Sequence, residues 1–442
     1  MNPWIETDVL VIGAGAAGWP AAIGAAREGA RVVLLDDDPF PGGAAVDQFV
    51  SMPDGGPRSG VVRQYLDQLQ TRFPMSHRPM DKWWYFWFMP SDILRVVNEL
   101  IAAEKGIRLV CPARASRLTT SADGSVVTGA LVPDELGAER WIRAKVVIES
   151  TGSGALCEAV GCEVRYGEDS REDFGEVIAP EERSAEVQMC TWMYTSHRVP
   201  GLAAEDPAYI PPGLESGYQS ATASEPKSVL ARGFGSYLHW GCKVECRDTR
   251  DPVALADAQR EALDVMAPDL DALRRNGYVV NLAPRIGVRE QRRIMGDYVI
   301  TATDLFEGNI PDDSVHVTQR PIDIWRKGAH DQMSAYPEVR PYGIPYRALI
   351  PKHFEGLFVV GKHLSGTHIA MASYRVQNLL GQIGQATGVA AALCAKNNVR
   401  PRQLVFGDLM PRLLSPEQDL VISGDPAWVT PPTPEEDSHK ID

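Results

Sequence analysis

The sequence predicts an α/β fold built around a parallel sheet, and the first 35 residues carry most of that prediction. A short apolar run at 8–12 (DVLVI) leads directly into the glycine-rich segment 13–18 (GAGAAG). An alanine-rich segment follows over 19–28, and a second apolar run lies at 31–35 (RVVLL). Short β-branched runs are typical of buried strands, whereas a longer alanine-rich stretch is typical of a helix. The order strand, glycine turn, helix, strand predicts a βαβ unit.

The spacing Gly13-x-Gly15-x-x-Gly18 is typical of a dinucleotide-binding turn because it lies between a strand and a helix. Gly13 permits the tight turn, Gly15 lets the backbone approach a pyrophosphate, and Gly18 lets helix and strand pack closely. The first N–H groups of the helix and its positive dipole end then face the phosphates. Asp36, at the end of the second strand, is placed to bond a ribose diol and would repel a 2′-phosphate. A Rossmann-type nucleotide fold is therefore predicted.

The same fingerprint serves FAD and NAD, and three further features favour FAD. Gly42-Gly43 forms a second flexible turn soon after Asp36, and Thr151-Gly152 closes a later strand. The apolar run 356–361 (GLFVVG) then precedes a long helix over 374–396, a strand–turn–helix that an NAD domain does not need. Further elements are predicted where the apolar pattern recurs: strands at 108–110, 126–132 and 144–148, and a helix over 92–104.

In these features the chain resembles the glutathione-reductase-like FAD proteins. More narrowly, it resembles the broad FAD-dependent oxidoreductase family that is distantly similar to fumarate reductase flavoproteins. The likeness is carried by 39–43 (PFPGG), 149–154 (ESTGSG), 289–298 (REQRRIMGDY), 344–351 (IPYRALIP) and 361–368 (GKHLSGTH). It is thin from about 163 to 283. The resemblance implies a Rossmann-type, glutathione-reductase-like FAD-binding fold with an inserted α+β substrate domain.

The predicted domain plan follows from this resemblance and from a change in texture along the chain. Residues 1–162 and 343–400 are predicted to form the two parts of the FAD-binding domain. Residues 163–342, where helix and strand signals alternate with Pro- and Gly-rich joints, are predicted to form the substrate-facing domain. Residues 401–442 form a C-terminal segment whose polar, proline-rich end is predicted to be mobile.

The resemblance also implies which residues lie against FAD. They are Gly13, Ala14, Gly15, Ala16, Ala17, Gly18, Asp36, Asp37, Gly42, Gly43, Thr151, Gly152 and Gly361. The backbone of Ala115, in the strand after the first long helix, is expected at the adenine, and Gln377-Asn378-Leu379 at the flavin pyrimidine. A helix N-terminus there stabilises the negative charge that reduction places on the flavin. Many family members carry Glu at the position of Asp36, but the shorter acid should still reach. No histidine or cysteine matches a covalent flavin linkage, so non-covalent FAD is expected.

Two histidines and one arginine are the candidate catalytic residues. His363 and His368 flank the turn 365–367 (SGT) beside the predicted flavin ring, so either can move a proton as a hydride passes to N5. The alternative is that they only hydrogen-bond the flavin or the turn. Arg375 can hold an anionic substrate or the reduced flavin's charge, or it can form a structural ion pair.

Two other groups of residues have two interpretations each. Arg289, Arg292 and Arg293 form a basic cluster that suits a substrate carboxylate, but the same segment can form a salt-bridge network between the two domains. The aromatic run 83–88 (WWYFWF) can wall a flat or apolar substrate, or belong to the core under a sheet.

Composition excludes several classes of partner. The formal net charge of −14 argues against nucleic-acid binding and against adhesion to anionic membranes. No apolar stretch approaches membrane-spanning length, and the N-terminus lacks the pattern of a secretory signal, so a cytoplasmic protein is expected. The seven cysteines are scattered and odd in number, which predicts reduced thiols. Cys242-x-x-x-Cys246 has no second pair to complete a zinc or iron–sulfur site, and no metal is expected.

The leading functional hypothesis is hydride transfer between a small organic substrate and FAD. Electrons would then pass to oxygen, a nicotinamide or another separate acceptor. A flavin-dependent monooxygenase or halogenase is one alternative, although no nicotinamide-docking or halogenase motif can be assigned. An enzyme or sensor that uses FAD without redox change is the other. The substrate, the direction of the reaction, the acceptor and the oligomeric state stay open, and an oligomer is compatible with the sequence.

Overall fold

The protein is described by a computed structural model that covers residues 4–53, 58–73, 76–80, 83–206, 209, 211, 236–326 and 336–425. Two predictions concern parts outside the described residues: the mobile C-terminal end beyond 425, and the role of the aromatic side chains at 83–87. The neighbouring Phe88 is described and is fully buried in the main core.

The strands of the described part are numbered in chain order. They are β1 (Ile5–Ile12), β2 (Val32–Leu35), β3 (Ser76–Met80), β4 (Trp83–Trp87), β5 (Ile107–Val110), β6 (Arg117–Thr120), β7 (Val127–Pro133), β8 (Glu139–Glu149), β9 (Val164–Arg165), β10 (Cys190–Thr191), β11 (Tyr194–Arg198), β12 (Ser236–His239), β13 (Lys243–Val244), β14 (Tyr278–Leu282), β15 (Arg293–Ile294), β16 (Ser314–Thr318), β17 (Tyr342–Pro345) and β18 (Leu357–Val359).

The helices are numbered in the same way. They are α1 (Gly18–Arg27), α2 (Ala44–Asp47), α3 (Gly60–Arg72), α4 (Pro90–Ala103), α5 (Ala155–Val160), α6 (Arg171–Phe174), α7 (Pro252–Arg275), α8 (Ala302–Glu307), α9 (His368–Tyr374), α10 (Gln377–Asn397) and α11 (Phe406–Leu413), with 3-10 turns at Tyr346–Leu349 and Pro401–Gln403. Among the described helices, none combines the length and the apolar character needed to cross a bilayer.

The main sheet has the strand order β5-β2-β1-β8, and β8 pairs further with both β7 and β18. β1 runs parallel to β2, with Val9 opposite Val32, and parallel to β8 on its other side. β18 pairs in parallel with the C-terminal end of β8, with Leu357 opposite Val147, while β7 and β6 continue antiparallel from its N-terminal half. The central strands are buried on both faces, as parallel strands covered by helices must be. The predicted Rossmann-type α/β fold is confirmed.

Helix α10 packs directly against α1 through glycines. A Cβ added at Gly384 would lie 2.1 Å from the carbonyl oxygen of Ala17, and one added at Gly388 would lie 1.9 Å from that of Ala21. Because no side chain fits between them, the two helices touch backbone to backbone. The glycines of α10 therefore mark the face that contacts α1.

The buried residues of another apolar core all lie between 190 and 286, and Phe49 and Val288 pack against it. β11 pairs with β12 and β14 in a three-stranded antiparallel sheet, and α7 covers it with buried side chains such as Ala262, Met266 and Leu270. Residues 300–344 contribute instead to the main core, for example through Leu305 and Tyr342. The predicted domain 163–342 therefore includes chain from both cores, and its boundaries stay a prediction.

Two local predictions need correction. The long helix predicted over 374–396 is present, but it begins three residues later, because α9 ends at Tyr374 and α10 begins at Gln377. Between them Val376 is extended (φ −80°, ψ 150°), and the side chain of Arg375 is held by the backbone oxygen of Asp323 at 2.7 Å. Ala115 lies in the loop between β5 and β6 rather than in a strand, since the chain has already left the parallel sheet there.

Candidate functional site

A cavity of about 1040 Å³ lies at the carboxyl ends of β1, β2 and β8. This volume is at the upper end of the range for cofactor sites. Its walls come from distant parts of the chain: Ile12, Gly13, Gly15–Ala17, Leu35–Asp38, Ala113–Ser116, Ser150–Ser153, Arg285–Arg289, and the stretch from Arg375 to Gln377. Loops at the carboxyl ends of parallel strands are where such folds bind ligands.

The glycine turn at the first strand end has the structure its spacing predicts. Gly13 has a φ of +102°, and a Cβ there would lie 2.7 Å from the backbone carbon of Ser150. A Cβ on Gly18 would lie 1.7 Å from the oxygen of Gly13, so helix and strand can approach only without a side chain. Gly15 differs, because a Cβ there meets only Gly43 Cα, at 3.9 Å, and otherwise faces open space in the cavity.

The backbone N–H groups before α1 are available to a ligand. Within the described chain, Gly15, Ala16 and Ala17 donate no backbone hydrogen bond, and no side chain caps the helix at Ala17. All three residues line the cavity. N–H groups of this kind at a helix N-terminus are a ready anion site. They fit the diphosphate of a dinucleotide.

Asp36 lines the cavity one strand away from this turn. Its Oδ2 accepts a hydrogen bond from the backbone N–H of Ala14 at 2.5 Å, and its Oδ1 accepts one from that of Asp38 at 2.9 Å. Burial raises the pKa of Asp36 to about 6, although these two hydrogen bonds act to lower it. The predicted neighbour Asp37 is exposed and also lines the cavity.

The middle of the cavity is bounded by the ends of β8 and β18. Thr151 and Gly152 follow β8, and the backbone N–H of Thr151 donates to Oε1 of Glu149 at 2.9 Å. Gly361 follows β18 with a φ of +135°, and a Cβ there would lie 3.0 Å from Nδ1 of His363. Ala115 and Gln377 line the same space.

Most of the predicted FAD-contacting residues are therefore brought together, but several do not line the cavity. These are Ala14, Gly18, Gly42, Asn378 and Leu379. Ala14 and Leu379 are buried, and Gly42 and Asn378 line a small neighbouring pocket instead. Along the start of α10, the lining residues besides Gln377 are Val376 and Leu380. The direct contacts to FAD stay a prediction.

His363 is fully buried directly behind the cavity wall. Its Nε2 donates to Oε2 of Glu149 at 2.6 Å, and no described group is hydrogen-bonded to its Nδ1. Burial acts to raise the pKa of Glu149, but the charge of His363 and its hydrogen bond hold that pKa below its usual value. The structure therefore fixes the ring through Nε2 and leaves Nδ1 beside Gly361.

His368 is also buried and does not line the cavity. Its Nδ1 lies 2.9 Å from Oε1 of Glu290, and its backbone N–H donates to Asp169 at 2.9 Å. Arg293 pairs with both acids, at 3.1 Å to Asp169 and 3.6 Å to Glu290. Arg292 pairs with Glu158 at 2.6 Å. Two of the three clustered arginines thus form ion pairs within the protein.

Arg289, the third of them, lines the cavity. Its Nη1 donates to the carbonyl oxygen of Met189 at 2.7 Å and to Oγ1 of Thr191 at 2.6 Å. Burial lowers the pKa of Arg289 to about 10, and the nearby charge of Arg375 acts in the same direction. Its guanidinium carbon lies 5.7 Å from the ring centre of Trp325, another lining residue.

Two more cations complete this part of the wall. Lys362 donates from Nζ to the carbonyl oxygen of Val288, and burial lowers its pKa to about 8. Arg375 donates to Oε1 of Gln188 at 2.8 Å and pairs with Asp323 at 3.4 Å. Of the three predicted catalytic residues, Arg375 alone lines the cavity.

Sequence reasoning missed a large share of the wall. The missed lining residues include Asp47, Gln48, Met193, Trp240, Arg285, Ile286, Gly287, Val288, Arg320, Asp323, Trp325 and Lys362. Many of them lie in irregular chain, where no helical or strand period marks an inward-facing side. One signal was present for Lys362, since it directly follows the predicted contact Gly361.

Comparison with known proteins gives a family match along nearly the whole chain. The family model described as FAD dependent oxidoreductase matches residues 8–413. Two curated relatives match over short segments only. Sarcosine oxidase subunit alpha of Rhizobium meliloti (strain 1021) is 40% identical over 68 residues, covering 15% of this chain and 7% of that protein. Hydroxyneurosporene desaturase of Rhodobacter capsulatus is 47% identical over 68 residues, covering 14% and 13%. The matches thus span a small part of either relative.

Two solved structures illustrate the structural likeness. E. coli quinol fumarate reductase FrdA is 14% identical with a TM-score of 0.41, covering 89% of this chain and 71% of that one. A geranylgeranyl bacteriochlorophyll reductase-like protein from Thermoplasma acidophilum is 13% identical, also with a TM-score of 0.41, covering 89% and 80%.

Proposed function

Because the chain belongs to the FAD-dependent oxidoreductase family, we propose that it transfers a hydride between a small organic substrate and non-covalently bound FAD. The membership confirms the predicted resemblance and the predicted cofactor. The observation that carries the proposal is one cavity that is lined both by the glycine turn of a dinucleotide site and by a group of cationic and aromatic side chains. FAD supplies the redox chemistry when it is bound, and the protein supplies binding, orientation and proton handling.

The residues of the turn suit the diphosphate and ribose of FAD. The N–H groups of Gly15, Ala16 and Ala17 provide donors that no described group uses. The carboxylate of Asp36 provides acceptors for a ribose diol at the cavity wall. The start of α10 at Gln377 places a positive helix end at the same cavity, where it favours negative charge.

Proton handling is assigned to His363, and ligand orientation to Arg375. Nε2 of His363 is committed to Glu149, so Nδ1 beside Gly361 is the ring atom that can give a proton to a group at the wall and take it back. Arg375 is fixed by Asp323 and Gln188, which suits it to orient a ligand. His368 is committed to Glu290 behind the wall, so its proposed part is to position that segment.

The test is anaerobic reduction of the purified protein carrying FAD. Candidate small metabolites are added without oxygen, and the flavin absorbance is followed. The expected result is bleaching by a substrate, reversed when an acceptor is admitted. NAD(P)H-dependent oxygen uptake coupled to hydroxylation would instead identify a monooxygenase. A flavin that stays oxidised throughout turnover would identify a non-redox use of FAD.

A further inference from the structure

One region of the cavity wall carries more positive than negative charge, although the whole chain has a net charge of −14. Arg289, Lys362 and Arg375 line this region together with the acid Asp323. Arg375 acts electrostatically on both of the other cations, and Asp323 acts on Arg289. The four groups therefore form one local cluster of three bases and one acid. Glu290 also acts on Lys362, but it pairs with His368 and Arg293 behind the wall.

The acid in this cluster is already used by one of the bases. Asp323 pairs with Arg375 at 3.4 Å. Asp47, another lining acid, acts on Lys362 but lies 3.8 Å from a guanidinium nitrogen of Arg285. The cluster thus keeps an excess of positive charge after its ion pair is counted.

Arg289 and Lys362 have only neutral hydrogen-bond acceptors. Arg289 donates to Met189 and Thr191, and Lys362 donates to the carbonyl oxygen of Val288. In the part of the chain that the structure describes, no carboxylate forms an ion pair with either of them. Both side chains are half-buried. A cation that is partly removed from water without a counter-charge loses hydration, so such groups are normally paired. In a cavity wall, the missing partner is a ligand that brings negative charge.

The position of Arg289 favours a carboxylate over other anions. Both hydrogen bonds of its guanidinium are made by Nη1, which fixes the group and leaves Nη2 and Nε for two parallel bonds to one planar anion. The ring of Trp325 lies beside it and offers an apolar surface for an organic body. The diphosphate of FAD is provided for elsewhere, at Gly15 to Ala17.

We propose that the substrate is a small organic carboxylate, and that Arg289 binds its carboxylate group with Lys362 beside it. This proposal rests on the proposed hydride transfer, of which it names the substrate class. In this proposal Arg375 lies next to the bound carboxylate, but the charge of Arg375 stays paired with Asp323.

Benzoate and benzamide form a matched pair of probes, because they differ in charge and hardly in shape. The FAD-loaded protein is titrated with each, and binding is followed by calorimetry and by the change in flavin absorbance. We expect benzoate to bind at least about tenfold more tightly than benzamide. Arg289→Gln should weaken benzoate binding at least about tenfold and leave benzamide binding unchanged. Arg292→Gln is the control, since Arg292 pairs with Glu158 and does not line the cavity.

Equal binding of the two probes, or unchanged benzoate binding in Arg289→Gln, would overturn the proposal. The proposal would also be overturned if Arg289→Gln changed only the reduction potential of the flavin, because Arg289 would then act on the reduced flavin and not on the substrate. If Arg289→Gln does not fold, Lys362→Gln makes the same test. Charge-selective binding with a flavin that no substrate reduces would keep the carboxylate site and reject the hydride transfer, so the two failures are distinguishable.

Discussion

The carboxyl group of Asp36 has a raised pKa. Burial at the cavity wall raises it to about 6. A ribose hydroxyl that donates to this carboxylate favours the ionised form, so binding of FAD and binding of a proton oppose each other. The consequence can be measured as a pH dependence of flavin affinity.

We expect FAD affinity to be nearly constant above pH 7 and to fall as the pH drops through 6. Well below 6 the fall should approach about tenfold per pH unit, since the proton must leave before FAD binds. Flavin fluorescence titration between pH 5 and 8 measures this. Asp36→Asn should bind FAD more weakly and lose this dependence, whereas Asp47→Asn, which removes a neighbouring acid of similar pKa, should retain it. A flat profile for the wild-type protein would contradict the assigned role of Asp36.

Gly15 allows a test that separates binding from folding. A Cβ at this position meets only Gly43 and points into the space assigned to the diphosphate. Gly15→Val should therefore fold, yet bind FAD about 100-fold more weakly, a loss of about 2.7 kcal/mol. Affinity is measured by equilibrium dialysis and folding by circular dichroism. Flavin binding of wild-type strength in this variant would show that the phosphates lie elsewhere.

At the scale of elements, the predictions were accurate where the pattern of apolar residues was strong. The first strand, helix and second strand were predicted at 8–12, 19–28 and 31–35, and α1 runs from Gly18 to Arg27. The start of the long helix was predicted too early, at 374, whereas α10 begins at Gln377 and Arg375 before it contacts Gln188 and Asp323. Those partners are about 50 and 190 residues away in the chain, so no local pattern could reveal them.

The contact between α1 and α10 predicts a sharp difference between two glycine substitutions. Gly388→Ala places a Cβ 1.9 Å from the oxygen of Ala21 and should lower the free energy of unfolding by about 1–3 kcal/mol. Gly407→Ala is the control, because its Cβ in α11 has no neighbour closer than 3.9 Å. It should be neutral or stabilise by up to about 1 kcal/mol. Urea denaturation measures both, and similar effects for the two variants would refute the close contact.

At the scale of the whole molecule, the cavity joins chain segments that belong to different cores. Gly15 and Asp36 flank the main sheet, while Thr191 and Ile286 border the core of residues 190–286. The half of the site near the glycine turn could be predicted because its residues follow strand ends in a known order. In the other half, Arg289 and Arg375 were named as candidates, but Gly287 and Trp325 were not, since they lie in irregular chain that shows no repeating pattern.

A ligand that touches both halves should stabilise both. With free FAD at about 100 times its Kd, the protein should gain about 2.7 kcal/mol. Hydrogen exchange should then slow at 285–291 as well as at 13–18. Exchange rates are measured with and without FAD. The segment 406–413 serves as the reference, because α11 does not line the cavity. Protection limited to the glycine turn would show that the two halves are not joined by the ligand.

The backbone contact of α1 with α10 also constrains how this protein can diverge. The glycine turn precedes α1, and Gln377 begins α10. The distance between these two helices is set by main-chain atoms, which no substitution can make smaller. If the substrate binds at Arg289 as proposed, a change of substrate should therefore alter the side chains around Arg289 and Trp325 rather than this helix contact. Homologues with different substrates should keep the glycine stripe of α10 and vary there.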